Sequence, residues 1–233
     1  MNRHRISGLA FFPLAACLGA SVQARTTAHI RYAKMAPIAQ YLIASRKAEI
    51  ALARTAAPPA IASRAAVMVL ERTGYKLAAP GHNGFLCLVE RSWGKSTDSS
   101  EFWNPKVRAP ICFNAAAAKS YVPIYLLKTK WVLAGKTKPA IARALAAAFR
   151  QQQLPRLKRG AMCYMMSAQQ YLNDRAKNWH SHVMFYVPES EDQSWGANQP
   201  GSPVIAVNDP QEKMKVYMVL VSHWSDGKPS PTR

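Results

Sequence analysis

His180 and His182 flank Ser181 in the run Trp179-His180-Ser181-His182-Val183-Met184-Phe185-Tyr186, the densest group of chemically capable side chains in the sequence. In an extended strand, residues two apart face the same side, so two imidazoles can meet one metal ion or one anion. Two ligands are half a metal site. His82, His223 and Asp226, near expected strand ends or turns, are available to complete it around a divalent ion, which points to a metal-dependent, hydrolase-like activity. The competing reading makes one histidine a surface residue and the other a core-edge residue bonded to backbone. Cys163 offers a second chemistry, as a nucleophile with His180 or His182 as its base. It sits, however, among Met162, Tyr164, Met165 and Met166, and apolar surroundings raise a thiol pKa. There is no G-x-S-x-G, P-loop, G-x-G-x-x-G, H-E-x-x-H or C-x-x-C motif. Glu189, Glu191 and Asp192 read as a solvated loop rather than a catalytic pair.

Charge supplies the other candidate surface. The chain has 31 Lys and Arg against 12 Asp and Glu, a formal +19. No acid lies between Glu101 and Asp174, whereas that interval holds Lys119, Lys128, Lys130, Lys136, Lys138, Arg143, Arg150, Arg156, Lys158 and Arg159, besides Lys106 and Arg108. Such a surplus favours polyanionic neighbours, here an anionic lipid or polysaccharide of a cell envelope, or else is a basic solvated surface. Lys128-Thr129-Lys130-Trp131 interleaves cations with an aromatic, but Trp131 shares helical spacing with Ile124 and Leu127 and so reads as core; no nucleic-acid recognition motif is present.

The N-terminus supplies an address. Arg3, His4 and Arg5 form a positive n-region, Ile6 to Ala20 an apolar stretch, and Val22-Gln23-Ala24 an A-x-A-like cleavage site, so the chain is expected to be periplasmic or secreted. Leu14-Ala15-Ala16-Cys17 is the alternative, a lipoprotein signal that would anchor the product through Cys17. No apolar run reaches the length of a transmembrane helix. With Cys17 removed or lipidated, Cys87, Cys112 and Cys163 remain: one bridge and one leftover thiol, or no bridge. Cys87 and Cys112 lie in short strand-like segments beside a polar loop and are the expected pair, contributing roughly 3 kcal/mol; Cys163 stays free and buried.

The elements that must position these residues follow from periodicity. An Ala-rich helix is expected over 32–54, ended by Ala57-Pro58-Pro59, with cations that could lie on an anionic membrane. Three strands follow as a meander at 66–70, 75–78 and 85–90, then a Ser-rich loop at 92–101 and a strand at 110–113. Asn114 caps a helix that Pro123 kinks or restarts; Ile124, Leu127 and Trp131 form its face and Gly135 stops it. Thr137 caps the next, with Ile141, Leu145, Ala148 and Phe149 as its stripe, and the two fold back as a helical hairpin. Strands return at 161–166, 182–187, 203–207 and 215–222. The expected fold is α+β, a mainly antiparallel sheet with a helical hairpin and an N-terminal helix. The expected organisation is signal peptide 1–24, basic helix and Pro linker 25–64, one domain 65–227, and a disordered tail 228–233.

Several motifs carry a resemblance: Asn83-Gly84-Phe85 with Cys87-Leu88-Val89-Glu90-Arg91, Pro110-Ile111-Cys112, the run from Ala161 to Ser167, the Trp179 to Tyr186 run, Trp195-Gly196-Ala197-Asn198 and Trp224-Ser225-Asp226-Gly227. From about residue 65 to 227 the chain resembles a family of uncharacterised exported bacterial proteins, mostly proteobacterial, whose members often have Pro where this chain has Ser181. The family has no established activity; the resemblance implies export and a single domain.

Overall fold

The computed structural model describes residues 32–191 and 194–231, so the expected signal peptide and Cys17 lie outside the described residues. Thirteen elements follow one another: α1 (Arg46–Arg54), α2 (Pro59–Ala62), β1 (Ala66–Glu71), β2 (Gly74–Ala79), β3 (Leu86–Glu90), β4 (Ala109–Phe113), α3 (Ala115–Ser120), α4 (Val122–Leu133), α5 (Lys138–Arg150), β5 (Met162–Met165), β6 (His182–Pro188), β7 (Val204–Asp209) and β8 (Met214–Leu220). The eight strands form one sheet in the order β2-β1-β3-β4-β5-β6-β8-β7. The fold is α+β with a mainly antiparallel sheet, as the periodicity implies.

One pairing departs from expectation. The first three strands are not a meander, because β1 lies between β2 and β3 and pairs with β3 in parallel, over Ala66–Leu86 and Val67–Cys87. The contact is short. Beyond it the amide of Leu70 donates to Glu49 Oε1 at 3.0 Å, so a side chain from α1 satisfies a backbone group on β1.

Strand alternation gives the sheet two apolar faces. Cys87 and Val89 on β3, with Cys112 on β4, face one side, where Ala53, Ala57 and Ala62 of the α1–α2 segment cover them. Leu88, Ile111 and Phe113 face the other side and pack under Tyr121, Tyr125 and Val132 of the helical layer, with Ile141 of α5. The small alanines allow the α1–α2 segment to approach closely. Ala53, Ala56 and Ala57 are essentially inaccessible, so the α1–α2 segment packs one face onto the sheet.

The N-terminal helix is also shorter than expected. Pro37 precedes a single 3-10 turn, and α1 begins only after Ser45, whose side chain accepts from the Ala48 amide at 3.1 Å. Asn114 and Thr137 cap α3 and α5 as expected, and α4 restarts at Val122 with Pro123 in its first turn. Gly135, at φ 74°, ends that helix in the left-handed region. Residues 228–231 are ordered where disorder was expected over 228–233, of which 232–233 lie outside the described residues. Ser230 is buried, its amide donates to the Ser222 carbonyl, and its hydroxyl accepts from the Ser181 amide at 3.0 Å.

Candidate functional site

The four candidate metal histidines do not converge. His182 opens β6, but His180 precedes the strand, so strand alternation does not set its direction. The Nδ1 of His180 lies 2.7 Å from the Pro231 carbonyl, and that of His182 lies 2.7 Å from the His180 carbonyl. His223 is exposed, with Nδ1 2.8 Å from Ser222 Oγ, while Asp226 turns to Lys228 at 3.3 Å. His82 lies between β2 and β3, its amide bonded to Arg64; β3 is three strand spacings, about 14 Å, from β6. Among the described residues, no three His, Cys, Asp or Glu are grouped to hold a metal ion.

The thiol reading fares similarly. Cys163 on β5 is buried with Sγ 3.2 Å from Tyr186 Oη, and burial pushes its pKa well above the ordinary range, which keeps it a thiol at neutral pH. Cys87 and Cys112 face each other across β3 and β4 and form the expected disulfide.

The cationic surface forms, with one correction. Lys119, Lys130, Lys136, Arg143, Arg150, Arg156, Lys158 and Arg159 are exposed. Lys138 is half-buried, donating to the Ser99 carbonyl at 2.8 Å and lying 5.7 Å from the centre of the Phe102 ring. Lys128 does not belong to this face. It is 1% exposed, and its Nζ bonds the Lys95 carbonyl and the carboxylate of Glu212. The reason lies in α4, whose buried positions are Val122, Ile124, Tyr125, Lys128, Thr129 and Val132, leaving Leu127 and Trp131 half-buried.

The inward turn of Lys128 builds a polar cluster beneath the helical layer. Burial pushes Glu212 up despite the pull of Lys128. Burial, then the nearby Glu212 charge, push Glu90 up to about 8, so its carboxyl holds a proton at neutral pH. Glu90 Oε1 and Glu212 Oε2 are buried with no hydrogen-bond partner. Sequence reasoning missed both acids. Glu90 merely continues the Leu88 side of β3, and that alternation was the available signal.

Glu212 also lines a cleft of about 960 Å³ between the end of α5, the following loop, the start of the β6–β7 connection and the β7–β8 turn. Its lining includes apolar Ile124, Phe149, Leu154 and Leu157 together with Arg150, Arg156 and Lys213. Among the described residues no carboxylate pairs with these three cations. Glu191 is the cleft's other acid. With Glu212 engaged by Lys128, the cleft is net positive. It can hold an anionic head beside an apolar chain. No described helix is long and apolar enough to cross a membrane. Comparison of the chain with protein-family models, curated proteins and solved structures found no match.

Proposed function

We propose that the protein is an exported, non-enzymatic binder of anionic lipid in the cell envelope, and that the cleft beside α5 takes the head and part of the acyl chain. The observation that carries this reading is that one cleft combines three cations with no carboxylate partner among the described residues, Arg150, Arg156 and Lys213, with the apolar side chains of Ile124, Phe149, Leu154 and Leu157. A purely electrostatic surface for polysaccharide would not need those apolar side chains. The outer cations Lys130, Lys136 and Arg143 add long-range attraction to an anionic surface, which salt screens. Export through residues 1–24, with release after Ala24 or anchoring through Cys17, belongs to the same proposal. The Cys87–Cys112 disulfide suits an oxidising compartment.

The test is co-sedimentation with phosphatidylglycerol vesicles, neutral vesicles and an acidic polysaccharide, at low and high salt. Arg150→Glu/Arg156→Glu/Lys213→Glu should weaken vesicle binding roughly tenfold or more, and Lys130→Glu/Lys136→Glu/Arg143→Glu much less. Equal binding to neutral vesicles, or equal loss in both triple variants, would overturn the assignment of the cleft. Preference for polysaccharide over vesicles would overturn the choice of lipid. The mass of protein isolated from the envelope reports the processed N-terminus and any lipid.

A further inference from the structure

A second pocket, of about 200 Å³, lies against the helical face of the sheet and has no part in the lipid cleft. Its floor is rich in thioethers, and strand register explains why. Met165 pairs with His182 across β5 and β6, and Met184 pairs with Met218 across β6 and β8. His182 and Met184 are two apart on β6, so all four side chains leave the same face of the sheet. Directly opposed residues hold their Cβ atoms about 5 Å apart, within reach of flexible thioether arms. All four residues line this pocket.

His182 is set up as a ligand. A carbonyl can only accept, so the 2.7 Å contact to the His180 carbonyl fixes the hydrogen on Nδ1 and leaves the lone pair on Nε2. Among the described residues no hydrogen bond engages Nε2. The Trp179 ring, 4.9 Å from that of His182 and edge-on to it, also lines the pocket and offers a π face to a cation.

We propose that Met165, His182, Met184 and Met218 form a binding site for a soft monovalent metal ion, Cu(I) or Ag(I). Thioether sulfur and neutral imidazole suit such ions, whereas hard divalent ions prefer carboxylate and water oxygen. A thioether set also binds Cu(I) without a thiolate, which an oxidising compartment would divert into disulfides. Of the cations bordering the pocket, Arg91 is paired with Glu49 and Lys95 lies in the field of Glu101; the Glu90 carboxyl, which also lines the pocket, is uncharged at neutral pH. Met184 and Met218 are half-buried, giving the ion a way in.

Titration of the disulfide-intact protein with Ag(I), a redox-inert stand-in for Cu(I), tests this. One equivalent should bind, quench tryptophan emission and shift the methyl resonances of Met165, Met184 and Met218, leaving those of Met68 and Met162 in place. Met184→Leu/Met218→Leu keeps side-chain volume and should weaken binding roughly tenfold or more. Cys163, the register partner of Met184, is a competing sulfur ligand on the same face of the sheet but does not line the pocket, so Cys163→Ala should bind Ag(I) unchanged. Failure of the folded protein to take up Ag(I), unchanged affinity in the leucine variant, or loss of binding in Cys163→Ala would each overturn the site. The methyl shifts decide the matter on the unaltered chain should the leucine variant fold poorly.

Discussion

Arg91 and Glu49 form an ion pair sealed from solvent, Nη2 to Oε1 at 2.9 Å, with side chains 0% and 3% exposed. Both ends are further satisfied. Glu49 Oε1 also accepts from the Leu70 amide, and the Arg91 guanidinium donates to the carbonyls of Tyr41 and Val89. The pair joins α1 to the sheet at the point where β1 and β3 part.

Removing one partner leaves a buried charge. Glu49→Ala should destabilise the protein by about 3–5 kcal/mol in chemical denaturation, whereas Glu49→Leu/Arg91→Met should recover part of that loss. A single-variant cost below about 1 kcal/mol would mean that the pair is not closed to water.

The pH profile should carry the mark of Glu90. Its folded pKa, about 8, exceeds the ordinary 4.5, so between these values the native chain keeps a proton that the unfolded chain has released. Its contribution is complete below pH 4.5 and is lost as pH rises through 8. Glu90→Gln should therefore match the wild type near pH 4.5 and be the more stable form above pH 8. His182 runs the other way. Its folded pKa of about 4 lies below 6.5, so its contribution holds above 6.5 and fades as pH falls through 4. Urea midpoints across this range give both limbs, and identical wild-type and Glu90→Gln profiles above pH 6.5 would rule out the assignment.

The disulfide spans 25 residues, and Cys87→Ala/Cys112→Ala should lower stability by about 3 kcal/mol in the chain-entropy account. Alkylation should find Cys163 unreactive in the folded protein, with labelling that follows the unfolding rate. Rapid labelling under native conditions would contradict its burial.

Gly81 sits where backbone passes backbone. A Cβ there would lie 2.0 Å from the amide nitrogen of Ala66, and neither chain can yield as a side-chain tip could. Gly81→Ala should cost about 3 kcal/mol or more and show as a lowered melting temperature. A shift within experimental error would show that the β1–β3 junction is slack.

Much of this architecture is legible from short-range pattern. The caps Asn114 and Thr137 are readable because each depends on neighbours a few residues away, and the disulfide because only three cysteines remain and two of them lie in strand-like segments. Partner choice is not local, and nothing in the alternation of β3 says that it will meet β1 in parallel rather than follow β2 in a meander. The α4 face was misread for a related reason. Apolar residues surround that helix, so a stripe through Leu127 and Trp131 competes with one through Tyr125 and Val132, and the charge of Lys128 argued against the stripe that is buried. Glu212, distant in sequence, supplies the charge that allows it. The candidate metal histidines failed because two-residue spacing implies a shared direction only inside a strand, and His180 lies outside β6. The thioether floor was present in the sequence as Met165, Met184 and Met218, but only the register of three strands brings them together.

The strand order has a kinetic consequence. β8 is seventh along the sheet yet eighth along the chain, and it supplies the whole of one edge of β6. A chain emerging amino end first presents β6 with that edge bare until residues 214–220 arrive, and residues 228–231 lock the corner only afterwards. Native pairing is thus weighted toward late, long-range closure, which slows collapse and keeps the nascent polypeptide extensible for longer.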